Sequence, residues 1–271
     1  MTRKLVFFFA VLAFIMGACS TNTPGEIKVL VYTKNESGAN KYIHDNIDAS
    51  VKAIEKLGKE NGFLVDVSDN PADINESNLK LYNCVVLSNT NNITFETDDQ
   101  KLAFVRYVHA GGGIVGIHSA CGSEREWPWF WAMLGGKFER HPPLQAFDIK
   151  VLRHDHPSTE FLGDTWKWED EFYYLKHLNP DLTYLLAGDL RTLNDAGMSE
   201  YPGEVFGNYF PLAWYHEFEG GRVFYTALGH KIEYYADENF TRHILGGIQW
   251  AIGDGSGPDY SNVSTSDLSQ N

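Results

Sequence analysis

The chain has 271 residues, of which 43% are hydrophobic and 14% aromatic, enough apolar material for a packed core without disulfide support. Thirty-six acidic residues against 22 basic ones give a formal net charge of -14. That balance repels phosphate backbones and anionic lipid headgroups, so nucleic acid is excluded as an expected partner.

Thr2-Arg3-Lys4, the apolar run from Leu5 to Met16 and then Gly17-Ala18-Cys19 reproduce the basic, apolar and small-residue zones of a secretory signal. The apolar run is too short to span a bilayer comfortably. A cysteine directly after Gly-Ala resembles the bacterial lipobox, which implies cleavage before Cys19 and lipid attachment to its sulfur. An ordinary cleaved signal with an incidental Cys19 is the alternative. The expected layout is a lipoprotein-type signal over 1–18, a tether over 19–26, one α/β domain over 27–252 and a disordered tail over 253–271. The expected location is the cell envelope, periplasm or outer membrane, with membrane contact through the lipid alone.

Ile27–Tyr32 reads as the first strand. Ile43, Ile47, Val51, Ile54 and Leu57 then form one apolar stripe on a predicted helix. Phe63–Val67 is a second strand. Tyr82–Leu87 is a third, and its unbroken apolar character predicts burial on both faces with Cys84 as a buried thiol. A helix is predicted over Thr97–Ala110, its start favoured by Thr97, Asp98 and Asp99. Gly111-Gly112-Gly113 opens a fourth strand that ends at His118. This βαβα alternation predicts a doubly wound, mostly parallel sheet with helices on both faces. After Pro142 comes an inserted, irregular and β-rich stretch, with strands at Gln145–Leu152 and Leu182–Ala187. Leu212–Phe218 and Arg222–Leu228 form a predicted hairpin around Gly220-Gly221. A helix over Glu238–Ile252 closes the domain.

His118 is the first polar residue after a buried strand, at the carboxyl end where open α/β sheets collect ligands and catalytic groups. His44 and His230 also follow strands or begin the helix after one, so the three imidazoles can approach one another across that edge. They are a candidate metal-ligand set, with zinc or another divalent ion the group that suits them. Asp170 and Glu171 lie within Trp166-Lys167-Trp168-Glu169-Asp170-Glu171-Phe172-Tyr173-Tyr174. Alternation along an extended chain lets at most one of the two carboxylates face a site directly. A carboxylate there can ligate metal, act as a general base or orient a histidine. Trp127, Trp129 and Trp131 read as core more than as a sugar platform. His156 reads as a turn element, and His109, His154, His177, His216 and His243 as surface or packing residues.

Several blocks, in order, resemble the ThuA-like (trehalose utilisation) family. They are Gly111-Gly112-Gly113 with Gly116-Ile117-His118-Ser119-Ala120; Gly135-Gly136-Lys137-Phe138 leading to His141-Pro142; Asp170-Glu171-Phe172-Tyr173; and Gly221-Arg222-Val223-Phe224-Tyr225-Thr226 with Leu228-Gly229-His230. The resemblance implies a flavodoxin-like fold similar to class I glutamine amidotransferases, in which a cysteine nucleophile occupies the turn after the glycine-rich strand. Here His118 stands at that turn. An imidazole is a poor substitute for a thiolate in acyl transfer, and Cys121 comes three residues too late, so glutaminase chemistry is not expected.

The resemblance also supplies a sugar context. The expected function is that of an extracytoplasmic enzyme of carbohydrate utilisation, acting on a disaccharide or keto-sugar by hydrolysis, elimination or isomerisation. His118, Asp170, Glu171 and His230 are the expected catalytic groups, and His44, His141 and Tyr173 the substrate-binding ones. No nucleotide cofactor is expected. A non-catalytic carbohydrate-binding lipoprotein and a residual Cys121-dependent amidase are the competing readings. As a residue at a loop crest, His118 is expected to contribute little to packing.

Overall fold

The computed structural model describes residues 25–38, 41–201 and 207–263. The expected signal, Cys19, the tether up to residue 24 and the tail from 264 onward lie outside the described residues. In chain order the elements are β1 (Lys28–Tyr32), α1 (Ile47–Asn61), β2 (Leu64–Ser68), α2 (Glu76–Leu79), β3 (Cys84–Ser88), α3 (Asp98–His109), β4 (Gly113–Ile117), α4 (Pro128–Leu134), β5 (Lys137–Arg140), β6 (Gln145–Val151), β7 (Thr165–Asp170), β8 (Tyr174–Lys176), β9 (Thr183–Asp189), β10 (Tyr209–Phe218), β11 (Gly221–Thr226) and α5 (Glu238–Ile252).

One sheet runs β2-β1-β3-β4-β11-β10-β9-β6-β7, and β5 pairs with β8 apart from it. The five strands from β2 to β11 are mutually parallel, in the flavodoxin-like order with β11 as the fifth. Beyond β11 each strand pairs antiparallel with the next. Because only β10 and β6 reverse direction, β7 again runs with the parallel set. The carboxyl ends of β1, β3, β4, β11 and β7 therefore meet one edge of the sheet.

β3 and β4 are buried throughout, as their Val- and Ile-rich runs require. Two glycines of β4 admit the helices on either face. A Cβ on Gly113 would stand 2.4 Å from the Ala251 carbonyl oxygen in α5, and one on Gly116 would stand 2.6 Å from Leu134 Cδ1 in α4. Positions three apart in a strand face opposite ways, so α5 and α4 cover opposite sides. α1 packs beside α5, while Phe104 of α3 joins Trp129 and Phe130 of α4. The start of α3 is a capping box, in which Thr97 Oγ1 accepts from Gln100 N and Gln100 Oε1 accepts from Thr97 N. In the β10–β11 hairpin Glu219 and Gly220 both have positive φ, 47° and 99°, as a two-residue type I′ turn demands.

Two expectations need correction. The apolar stripe does not extend back to Ile43, which is 45% exposed and lies in the loop before α1. That loop ends at buried Asn46, whose side-chain amide donates to the carbonyls of Gly229 and His230 and so fixes where the helix begins. The domain also continues past 252. Gly255 accepts a hydrogen bond from Asn83 Nδ2 at 2.9 Å, Asp259 N donates to the Ala110 carbonyl at 2.7 Å, and Tyr260 packs against the core.

Candidate functional site

β4 ends at Ile117, and His118 turns the chain in the left-handed region with φ 51°. A non-glycine residue seldom adopts that conformation, which costs roughly 1–3 kcal/mol and persists where surrounding contacts impose it. The contacts are these: Tyr225 Oη donates to the His118 carbonyl at 2.8 Å, and the imidazole is wholly buried. His118 Nδ1 lies 2.7 Å from the Ala227 carbonyl oxygen, which can only accept, so Nδ1 carries the proton. Nε2 is left with its lone pair and receives the Tyr173 hydroxyl at 2.9 Å. A ring nitrogen freed by a backbone bond at the other nitrogen is the usual form of a metal-binding histidine. The expectation that His118 sits loosely at a loop crest is overturned by this burial and by both bonds.

Three further side chains converge on it. The His44 ring centroid is 4.7 Å from that of His118 and 5.3 Å from that of His230, and the latter two rings are 5.4 Å apart. Glu171 Oε2 stands 3.2 Å from His230 Nδ1 and 3.7 Å from His118 Nε2, and Glu171 Oε1 is 3.6 Å from His141 Nε2. One donor atom from each of His44, His118, Glu171 and His230 lies within 4.8 Å of every other, so this group could hold a metal ion. Both His44 ring nitrogens are buried with no hydrogen-bond partner. An imidazole normally satisfies at least one nitrogen when buried, so this ring is poised for a ligand or ion.

The electrostatics agree with that donor set at His44 and Glu171. Burial, reinforced by the neighbouring His118 and His230, pushes the His44 pKa down to about 2 and keeps its ring neutral. Burial acting alone would raise the Glu171 pKa, but its contacts with His118, His230 and His141 outweigh it and hold the carboxyl well below the usual range. The Glu171 contact raises that of His230. A neutral His44 ring beside an ionised Glu171 carboxylate suits a divalent ion, which would have to displace the proton that Glu171 favours on His230.

Asp170 and Glu171 have separate places. Glu171 enters the site, while Asp170, placed among the catalytic groups by the sequence, is wholly buried behind it. Its oxygens accept from the backbone N–H of Glu171 at 2.9 Å, Gly229 at 2.8 Å and His230 at 3.3 Å, and from Trp168 Nε1 at 3.0 Å. Asp170 thus ties the end of β7 to the loop that presents His230, and is a positioning residue. Burial raises its pKa, against the opposing pull of His118 and its donors. Asn46 performs the matching task for His44 from the start of α1, bonding the same 229–230 loop and Asn89.

A cavity of about 310 Å³ opens over the cluster. His44, His141, Glu171 and Tyr173 line it, together with Tyr42, Asn91, Ser119 and Arg125, which were not named as site residues from the sequence. Ser119 and Arg125 share the segment leaving His118, and their nearness to it in sequence was the available signal. None of the seven tryptophans lines this cavity. Trp129 is core, and Trp127 and Trp131 pack half-buried against it. Cys121 is fully buried, and burial pushes its thiol up to about 12. Cys84 and Cys121 are both free thiols. His141 Nδ1 donates to the Pro142 carbonyl, leaving Nε2 directed toward Glu171.

Comparison with known proteins agrees with this architecture. The chain is similar to a ThuA-like protein from Bacteroides uniformis ATCC 8492, at 24% identity over 86% of this chain and 95% of that one, with a TM-score of 0.66. A ThuA-like protein from Parabacteroides merdae ATCC 43184 gives 20% identity, coverage of 87% and 96%, and a TM-score of 0.63. Part of a β-galactosidase from Bacillus circulans sp. alkalophilus has a related fold, at 14% identity over 82% of this chain and 30% of that one, with a TM-score of 0.50. At these identities the likeness is one of fold. No curated protein sequence matches the chain. The sequence profile of the ThuA family, described as trehalose utilisation, matches residues 28–251, and the chain belongs to that family.

Proposed function

We propose that the protein is a zinc-assisted enzyme of carbohydrate utilisation, acting on a disaccharide or keto-sugar. The observation that carries this reading is the group His44, His118, Glu171 and His230, with its donor atoms within 4.8 Å and both His44 nitrogens unpartnered beneath a cavity. Three imidazoles and one carboxylate suit zinc, which supplies Lewis acidity toward a carbonyl or water oxygen when bound. The chain's own groups handle protons. His141 Nε2 faces the cavity beside Glu171 and can take up or return a proton, while Tyr173 bonds His118 from the cavity wall. Asp170 holds the Glu171 and His230 backbones in place during turnover. A cavity near the lower end of ligand-site sizes suits one sugar ring at a time. The signal-like residues 1–19 support a lipid-anchored, extracytoplasmic location.

Elemental analysis of protein purified without added metal or a histidine tag tests the reading. About one zinc per chain is expected in the wild type, falling at least about tenfold in His44→Ala. Protein that stays metal-free after zinc is added back would sink the proposal. Sugar binding without turnover across disaccharides and keto-sugars would instead favour an accessory binding protein. Cys121→Ser is expected to leave any turnover within about twofold, because the buried, protonated thiol is no nucleophile. Its complete inactivation with folding retained would revive the thiol mechanism.

A further inference from the structure

We propose that Arg125, with Ser119 and Asn91 near it, forms a carboxylate-binding subsite in the cavity beside the histidine cluster, and that the disaccharide or keto-sugar substrate carries a carboxylate. Arg125 is the one arginine or lysine in the cavity lining, and it has no carboxylate within ion-pair distance among the described residues. In a chain this rich in acid such a cation is conspicuous. Its Nε is buried without a hydrogen-bond partner, and its only protein acceptor among the described residues is Asn91 Oδ1, reached by Nη2 at 3.4 Å. Ser119, itself 3% exposed, has a hydroxyl with no partner in the same lining. Buried donors are ordinarily satisfied, so two unsatisfied ones sharing a cavity mark the place of a ligand oxygen.

The local build favours a flat anion. The guanidinium lies 5.5 Å from the Phe138 ring centroid, within cation–π range. A Cβ on Gly122 would stand 2.6 Å from Asn91 Oδ1 and 3.1 Å from Arg125 Nη2, so glycine is what lets the guanidinium and amide lie against the turn. A planar fork of N–H donors pairs bidentately with a carboxylate. A phosphate dianion fits less well, because the lining supplies a single Arg and also holds the ionised Glu171. A keto-uronate or a uronate-containing disaccharide could seat its carboxylate on Arg125 and direct its carbonyl or glycosidic carbon toward the cluster. That second half rests on the zinc reading given above; the subsite itself does not.

Calorimetric titration of the protein as purified, with D-glucuronate, D-gluconate and neutral D-glucose, tests the subsite. At least about tenfold tighter binding of one of the acids than of glucose is expected in the wild type. Arg125→Ala and Arg125→Gln should erase that preference, and Arg125→Lys should restore only part of it. Zinc content and thermal melting of each variant are read in parallel. Neither acid binding better than glucose, or a preference that survives in a folded Arg125→Gln, would overturn the subsite whatever the zinc content. An Arg125-dependent preference in protein that cannot hold zinc would leave the subsite standing and sink the metal reading.

Discussion

His118→Ala is expected to abolish turnover, strip the metal and lower stability by roughly 2–4 kcal/mol. The imidazole is fully buried, so its removal leaves a cavity, an unpaired Ala227 carbonyl and a Tyr173 hydroxyl without its acceptor. Alanine would also inherit the left-handed φ of 51°, which a Cβ disfavours. Glycine would not. His118→Gly should therefore be more stable than His118→Ala by about 1 kcal/mol while losing metal and turnover equally. Urea midpoints measured in excess chelator separate this backbone effect from metal binding. A glycine variant less stable than the alanine one would contradict the strain argument. Zinc and turnover retained in either variant would remove His118 from the ligand set.

The parallel half of the fold was legible because its signals are redundant. β3 and β4 are unbroken apolar runs, α3 begins at a Thr with its Gln three residues on, and α5 occupies Glu238–Ile252 as its pattern indicates. Misreadings arose where a tertiary bond outranks local pattern. Ile43 has helical spacing from Ile47, but Asn46 spends its side chain on the 229–230 loop, and the helix begins after it. Gly255 and Asp259 lie in a stretch with a tail's composition, yet Asn83 and Ala110 bond them to the domain.

At the site, strand ends announced His118 and His230, and the parallel order brings His44 to them. Period-two alternation allowed one of Asp170 and Glu171 into the site without saying which. The choice depends on β7 running with the parallel set, which follows from two reversals, one at the β10–β11 hairpin that Gly220-Gly221 signals and one at β6 that no local pattern encodes. Arg125 was obscured because Glu124 and Glu126 flank it, the ordinary look of a solvated turn. In the fold Glu124 turns inward to accept from Thr94 and Phe95 and pair with Lys101, which leaves Arg125 to the cavity.

Acid should destabilise the protein well above the pH at which carboxylates titrate, through histidines far from the site. His243 on α5 is wholly buried, bonds the Ser158 carbonyl through Nδ1 at 3.0 Å and packs against Phe224 and Trp166, with Nε2 unpartnered. Burial pushes its pKa down to about 4, opposed by the Ser158 bond. His156, facing His243, Asp155, Arg153 and Arg222, is likewise pushed down to about 4 by burial. A histidine held neutral in the fold but free to protonate near 6.5 when unfolded makes the unfolded state the better proton binder. Its stabilisation is complete above about pH 6.5 and drains away as pH falls toward 4. For His243 the loss between pH 7 and 4.5 is worth about 2 kcal/mol, at about 1.4 kcal/mol per tenfold difference in proton affinity. His243→Gln keeps a side-chain donor for Ser158 but cannot titrate. Its urea-derived stability should fall by about 2 kcal/mol less than that of the wild type over this range. Equal losses in the two proteins would show that His243 already takes its proton in the folded state, in which case the acid sensitivity belongs to other groups.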